Sequence, residues 1–189
     1  MNNFKSDINL CLETLNKGGL ILYPTDTIWG IGCDATKSEA IKKIYELKNR
    51  EEKKSLITLV SDENMIRNYV SNPPGILLKY ISHAQKPTTI IFKDAINLPQ
   101  RLISDDGSIA MRIPKDDFCI QLIKQLGKPL VSTSANISGE KFPQNFSEVS
   151  PVIKNGVDFI VQHRQHDNSE NSPSSIIRLN EKGDIEIIR

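Results

Sequence analysis

The stretch "LILYPTDTIWGIGC", residues 20–33, holds two apolar runs separated by only four polar-turn residues. "LILY" (20–23) reads as a buried strand, "PTDT" (24–27) as a turn, and "IWGIGC" (28–33) as a glycine-broken extended piece. Two strands in direct succession leave no room for the helical crossover that parallel neighbours need. Working outward, Ile8, Leu12 and Leu15 repeat at helical spacing, and Gly18-Gly19 ends that helix. "TKSE" (36–39) reads as a capping box that opens a helix running to about Lys48. "SLITLV" (55–60) is a strand, and two helices follow, one with Ile66 and Tyr69 before Pro73-Pro74, one with Leu77 and Ile81. "TTIIF" (88–92) and "SIAMRI" (108–113) are strands, Asp116 or Asp117 caps a helix through Leu126, and "PLVS" (129–132) and "VDFIV" (157–161) are strands. "SIIRL" and "IEIIR" flank "NEKGD" as a terminal hairpin. The polar stretch 162–174 is a loop or lid expected to order when ligand binds. Helices alternate with strands, yet some strands follow one another directly. The pattern therefore predicts a single α/β domain over 1–189, with a twisted mixed parallel/antiparallel sheet and helices packed on it.

At 189 residues, 38% hydrophobic and 25% charged, the chain has the composition of a soluble globular protein. A net charge of +1 argues against coating nucleic acid by bulk electrostatics, and leaves room for a local basic patch. Cys11, Cys33 and Cys119 are far apart and form no CxxC, which suits a reducing cytoplasm and neither a disulfide framework nor a zinc site. The first residues hold no apolar signal core, and no apolar run approaches ~18 residues, so no membrane association is expected. P-loop, GxGxxG and HExxH patterns are absent, and His83, His163 and His166 are not spaced as a metal set.

Four constellations carry candidate chemistry. In "ELKNREEKKS" (46–55), Lys48 falls on the apolar face marked by Ile41 and Ile44, and Arg50, Lys53 and Lys54 follow. This is either a solvated basic helix end favoured by the helix dipole, or an anion site for a polyphosphate. In "YPTDT", Thr25 and Thr27 share one side of an extended chain and Asp26 points the other way. That is either an ordinary turn or a hydroxyl grip on a small polar substrate. In "SIAMRIP" (108–114), Ser108, Ala110 and Arg112 share a face opposite Ile109 and Met111, so Arg112 either faces solvent or clamps a carboxylate. In "STSAN" (132–136), Ser132, Ser134 and Asn136 share a face, as a local turn or as ligand groups at a strand end.

Together these segments, "LYPTDTIWGIGCDA", "KNREEKKSLI", "KPTTIIF", "SIAMRIP" and "STSANISGE", resemble the YrdC/Sua5/YciO family over about Leu10 to Arg189. The family signatures KxR and SxN stand here as Lys48-Asn49-Arg50 and Ser134-Ala135-Asn136. The resemblance implies a YrdC-like fold in its short form, without the C-terminal domain of longer Sua5 members. It implies a threonylcarbamoyl-AMP synthase acting in tRNA t6A modification, with ATP, L-threonine and bicarbonate as substrates and Mg2+ bound through the ATP phosphates. By position, Lys48 and Arg50 would be catalytic and, with Lys54, would face the ATP phosphates; Ser108, Asn136 and Arg189 would also contact nucleotide. Thr27, Arg112, Ser134 and either Ser174 or Ser175 would hold threonine. A cytoplasmic location, a downstream tRNA threonylcarbamoyl-transfer machinery and weak double-stranded RNA or tRNA binding are further implications. Three positions depart from the family pattern: Ser55 stands for a proline, "QKPTT" (85–89) replaces a Pro-Gly-Pro turn, and Leu59 replaces a threonine-contacting histidine of some members. These departures keep a YciO-like paralogue, or an RNA-binding or ribosome-associated module, as alternatives.

Overall fold

The computed structural model describes residues 4–52, 55–169 and 171–189. Its strands are β1 (Ile21–Tyr23), β2 (Gly30–Asp34), β3 (Ile57–Leu59), β4 (Thr88–Phe92), β5 (Ile109–Arg112), β6 (Leu130–Ser134), β7 (Phe159–Ile160), β8 (Ser175–Leu179) and β9 (Ile185–Ile187). Its α-helices are α1 (Lys5–Asn16), α2 (Ser38–Leu47), α3 (Glu63–Tyr69), α4 (Gly75–His83), α5 (Asp117–Leu126) and α6 (Pro151–Asn155). The strands form one sheet in the order β7-β1-β2-β6-β3-β5-β4-β8-β9. Pairs β1/β7, β3/β5 and β4/β8 are parallel and the rest antiparallel, so the sheet is mixed, as the direct strand successions predict. The two opening runs pair antiparallel, with Tyr23 opposite Gly30.

Paired residues point to the same side of a sheet, and their neighbours along the strand to the other. One face carries Leu22, Ile31, Val131, Met111, Ile90 and Ile177, and is packed along its length by α2, α3 and α4 through Ile41, Ile44, Ile66, Leu77 and Ile81. The opposite face is covered at one end only. There Ile21, Tyr23, Leu59 and Leu130 pack under α1 and α5, against Ile8, Leu15, Phe118 and Leu122. Register places Ser132, Ser134, Ile57, Arg112, Thr89 and Ile176 on the same face, and of these only Ile57 packs against the cluster under α1 and α5.

Two local expectations need correction. Thr36 does not cap α2: its hydroxyl and N–H both bind Asp34 Oδ1, at 2.6 and 2.9 Å. Lys37 is the N-cap instead and makes no side-chain capping bond. The turn leaving β2 therefore claims the hydroxyl that a capping box would use. Helix α6 was not expected at all. Five residues carry no readable periodicity, although Ser150 followed by Pro151 is an N-cap and first-turn pairing, and the Ser150 hydroxyl accepts the Ile153 N–H at 3.4 Å. Among the described residues, no helix is long and apolar enough to cross a membrane.

Gly32 lets the Tyr23 ring lie against β2. A Cβ there would stand 2.8 Å from both Tyr23 Cε1 and the Val131 carbonyl, whereas at Gly30 the nearest atoms are 3.3 Å away. Gly32→Ala is expected to destabilise the protein by about 1–3 kcal/mol, and Gly30→Ala by less. Urea unfolding of the two variants checks the order.

Candidate functional site

A cleft of about 390 Å³ lies on the uncovered half of the sheet face. Three arginines line it: Arg50 from the end of α2, Arg112 from β5, and Arg189. Hydroxyls come from Thr27 in the turn, Ser132 and Ser134 in β6, and Ser174 before β8. Among the described residues no Asp or Glu side chain lines it. A lining with three guanidinium groups and, among the described residues, no Asp or Glu suits an anionic ligand, and the low-dielectric sheet floor strengthens the field there.

Arg50 reaches the cleft because α2 stops sharply. Asn49 takes a left-handed conformation (φ 46°). Its N–H binds the Glu46 carbonyl at 3.1 Å and the Arg50 N–H binds the Tyr45 carbonyl at 2.9 Å. This is a Schellman closure, with asparagine in the position glycine usually takes. The middle residue of KxR thus turns the chain so that Lys48 and Arg50 diverge. Arg50 enters the cleft, where its Nη2 donates to the Ser55 carbonyl at 2.9 Å.

Lys48 goes inward. It is 1% exposed, does not line the cleft, and its Nζ donates to the carbonyls of Ser134 and Asn136, each at 2.5 Å. Its own carbonyl accepts the Ser138 N–H at 2.8 Å. Three bonds from one residue stitch the end of α2 to the loop after β6.

The alternation expected through "STSAN" stops at Ser134. There β6 ends and the chain turns, with the Asn136 N–H on the Ser134 carbonyl at 2.9 Å. Asn136 faces its own loop, where Nδ2 donates to the carbonyls of Ile137 and Glu140 at 3.0 and 2.7 Å. It does not line the cleft. Ser108, at the far end of β5, lines a second cavity of about 840 Å³ with Lys93, Asp106 and Arg178. Of the serine pair before β8, Ser174 lines the cleft and Ser175 does not. Lys54 lies outside the described residues. Leu59, the histidine-replacing position, is fully buried beneath α1 and α5.

The "PTDT" turn differs most from its sequence reading. Asp26 does not point away from the site: its Oδ1 accepts from Arg112 Nη1 in a buried ion pair. The chain here folds back rather than extending. Thr25 Oγ1 accepts the Thr27 N–H at 3.0 Å and donates to the Ile28 carbonyl at 2.8 Å. Since the single Thr25 hydroxyl proton goes to Ile28, Thr27 must donate in the 2.8 Å contact between the two hydroxyls. The Thr27 oxygen therefore keeps its lone pairs for donors in the cleft. A second arginine braces this turn from outside: Arg164 Nη1 binds the Thr25 carbonyl at 3.0 Å and its Nε binds Asp167 at 2.9 Å. Arg164 was missed, Asp26 was read as facing away, and Thr25 was read as a ligand hydroxyl rather than as the brace of the turn. Each is an ordinary turn or loop residue in its local sequence, and each partner lies in a distant segment or depends on how the turn closes. At the far wall, Ser174 Oγ pairs with Thr89 Oγ1 at 2.8 Å, and the Ser174 carbonyl accepts from Arg189 Nη2 at 3.0 Å.

The family model described as "Telomere recombination" (Sua5/YciO/YrdC) matches residues 13–189. The chain belongs to the Sua5/YciO/YrdC family. It is 31% identical over 186 residues to the protein named threonylcarbamoyl-AMP synthase of Pseudoalteromonas translucida (strain TAC 125), covering 91% of this chain and 92% of that protein. The crystal structure of P. abyssi Sua5 complexed with L-threonine superposes with a TM-score of 0.85 at 22% identity, covering 97% of this chain. This chain spans about half, 54%, of that Sua5. E. coli YciO superposes with a TM-score of 0.84 at 23% identity, covering 97% of this chain and 88% of that one. At these identities both structures share the fold.

In family terms, Lys48 is the bond between the KxR and SxN signatures, and it has a pH consequence. Burial, with the Arg50 charge nearby, pulls its pKa down from the ordinary lysine value to about 7. A neutral amine still has two N–H groups, one for each carbonyl. Because the unfolded chain binds this proton up to about pH 10 and the folded chain releases it near 7, stability from this group rises with pH between those values. Below about 7 both states are protonated and the dependence vanishes. The stability difference between wild type and Lys48→Met is expected to widen from pH 7.5 to 9.5, by at most about 1.4 kcal/mol per pH unit. Urea unfolding across that range measures it, and parallel curves for the two proteins would contradict the assignment.

Proposed function

We propose that this chain is an L-threonylcarbamoyladenylate synthase, converting ATP, L-threonine and bicarbonate to threonylcarbamoyl-AMP and pyrophosphate in the first step of tRNA t6A modification. The observation that carries this reading is the cleft lined by Arg50, Arg112 and Arg189 with no Asp or Glu among its described lining residues. The synthase name of relatives that match along most of the chain supports it, as does the threonine complex of a protein with the same fold.

The substrate roles follow from the donors and acceptors present. Arg112 takes the threonine carboxylate as a two-pronged donor. Thr27, left as an acceptor by its bond to Thr25, takes the amine. Arg50 and Arg189 face the polyphosphate, and Ser134 and Ser174 supply hydroxyls between the two ligands. The threonine amine, once deprotonated, adds to the carbon supplied by bicarbonate, with loss of water. A carbamate oxygen then attacks the α-phosphorus and pyrophosphate leaves. Such a reaction needs its reactants brought together and negative charge offset, which arginines and hydroxyls do without a separate acid–base dyad. Mg2+ would enter with ATP as part of the substrate, held by phosphates and water, because the cleft itself presents hydroxyls and cations rather than carboxylates. The product would pass in the cytoplasm to the machinery that transfers threonylcarbamoyl to tRNA.

A YciO-like paralogue is favoured by one observation, the core position of Leu59 where some members place a substrate-contacting histidine. Complementation of a strain lacking its own synthase separates the two readings, since full rescue excludes the paralogue. Purified protein is expected to release pyrophosphate only when ATP, bicarbonate and L-threonine are all present. Arg50→Ala should raise the KM for ATP by roughly 10-fold or more and leave that for threonine nearly unchanged; Arg112→Lys, which keeps a charge for Asp26 but loses the fork, should do the reverse. Folded protein that makes no threonine-dependent pyrophosphate would sink the synthase reading.

A further inference from the structure

Arg112 is engaged on one side only. Asp26 takes its Nη1, in an ion pair whose side chains are 4% and 8% exposed. Its Nη2 has a long 3.5 Å contact with Thr27 Oγ1, and its buried Nε has no hydrogen-bond partner among the described residues. Nε–H and the adjacent Nη2–H form the side-on fork of a guanidinium, which binds a carboxylate bidentately. Burying a donor unpaired is unfavourable, so this edge is shaped for an anion rather than for packing. Its neighbours across the sheet offer no substitute. Register sets Leu59 and Thr89 beside Arg112; Leu59 is apolar, and the Thr89 hydroxyl is paired with Ser174.

Asp26 is not among the residues that line the cleft. It stands behind the guanidinium, and its Oδ2 accepts the Lys115 N–H at 3.0 Å. Its backbone belongs to the turn braced by the Thr25 hydroxyl and by Arg164. The carboxylate is thus fixed by the turn on one side and by the chain between β5 and α5 on the other, independently of any ligand.

We infer that Asp26 is a positioning residue: by holding Nη1 from behind, it presents the Nε–Nη2 edge of Arg112 to the carboxylate of the amino-acid substrate. The identity of that substrate rests on the synthase reading above. The opposite role for an acid on this arginine is that of a stand-in carboxylate that the substrate must displace. The geometry opposes it. Asp26 does not stand in the cleft, and displacing it would strand a carboxylate that is already buried. The two roles predict opposite signs. Without its holder, the long arginine side chain has to be ordered by the ligand itself, which weakens binding. Without a competitor, binding would tighten.

The test is calorimetric binding of L-threonine and L-threoninamide to wild type, Asp26→Ala and Asp26→Asn, with ATP affinity and thermal melting as controls for folding. Wild type is expected to prefer threonine over the amide by on the order of 100-fold. Asp26→Ala should weaken threonine by roughly 10-fold or more, leave the amide and ATP nearly unchanged, and so narrow the preference. Asp26→Asn keeps an acceptor without the charge. It should show the same selective loss in smaller measure, and it carries the test if the alanine variant does not fold. Tighter or unchanged threonine binding in a folded variant overturns the positioning role. Wild type that binds neither compound overturns the synthase reading and the inference with it, whereas wild type that binds threonine beside unaffected variants overturns the inference alone.

Discussion

Helices α1 and α5 reach only as far as Leu59 and Leu130 across their face of the sheet, and the site occupies what they leave. Full coverage of both faces would bury more apolar surface, but it would leave no floor on which a substrate could lie. The residues change character at that boundary. Under the helices the face is Ile21, Tyr23, Leu59 and Leu130; further on Ser132, Ser134, Arg112 and Thr89 stand among Ile57 and Ile176. Tyr23 marks the transition, since its ring needs the missing side chain of Gly32 to lie flat. The other face, packed by α2, α3 and α4, supplies the rigidity that an open half-face lacks.

Two buried cations organise the site in different ways. Burial, with the Arg50 charge nearby, pulls Lys48 toward its neutral form, and a neutral amine still satisfies the two carbonyls it binds. Arg112 carries its charge on a buried, planar guanidinium, and Asp26 pairs it. Lysine therefore serves as a tie between backbone segments, and arginine serves as the ligand-facing group. Exchanging the two would leave a permanent charge among carbonyls and a weaker point charge where a fork is needed.

Much of the fold was legible along the chain. "TTIIF" became β4 with its read boundaries, Asp116 caps α5 through the Cys119 N–H at 2.9 Å, and the terminal hairpin closes as its turn chemistry suggested. These features depend on neighbours a few residues apart. Legibility failed where one hydroxyl or carboxylate had two possible partners. Thr36 went to Asp34 rather than to the helix, and Asp26 went to Arg112 rather than to solvent. Candidate site residues divide in the same manner. Thr27, Arg50, Arg112, Ser134, Ser174 and Arg189 converge on one cleft, while Lys48, Ser108, Asn136 and Ser175 lie outside its lining. Period-two alternation placed Ser108 and Arg112 on one face correctly, but a strand is long enough for its two ends to serve different cavities.

By itself, the sequence determined the mixed sheet, the family and the kinds of group in the site, because apolar periodicity, turn residues and short motifs are local properties of a chain. Only the tertiary structure decided which of those groups share a cleft and in what protonation and pairing. Those outcomes depend on contacts between segments 86 or 88 residues apart, such as Asp26 with Arg112 and Lys48 with the Asn136 carbonyl. Burial then shifts the balance between charged and neutral forms in a way that no local pattern records.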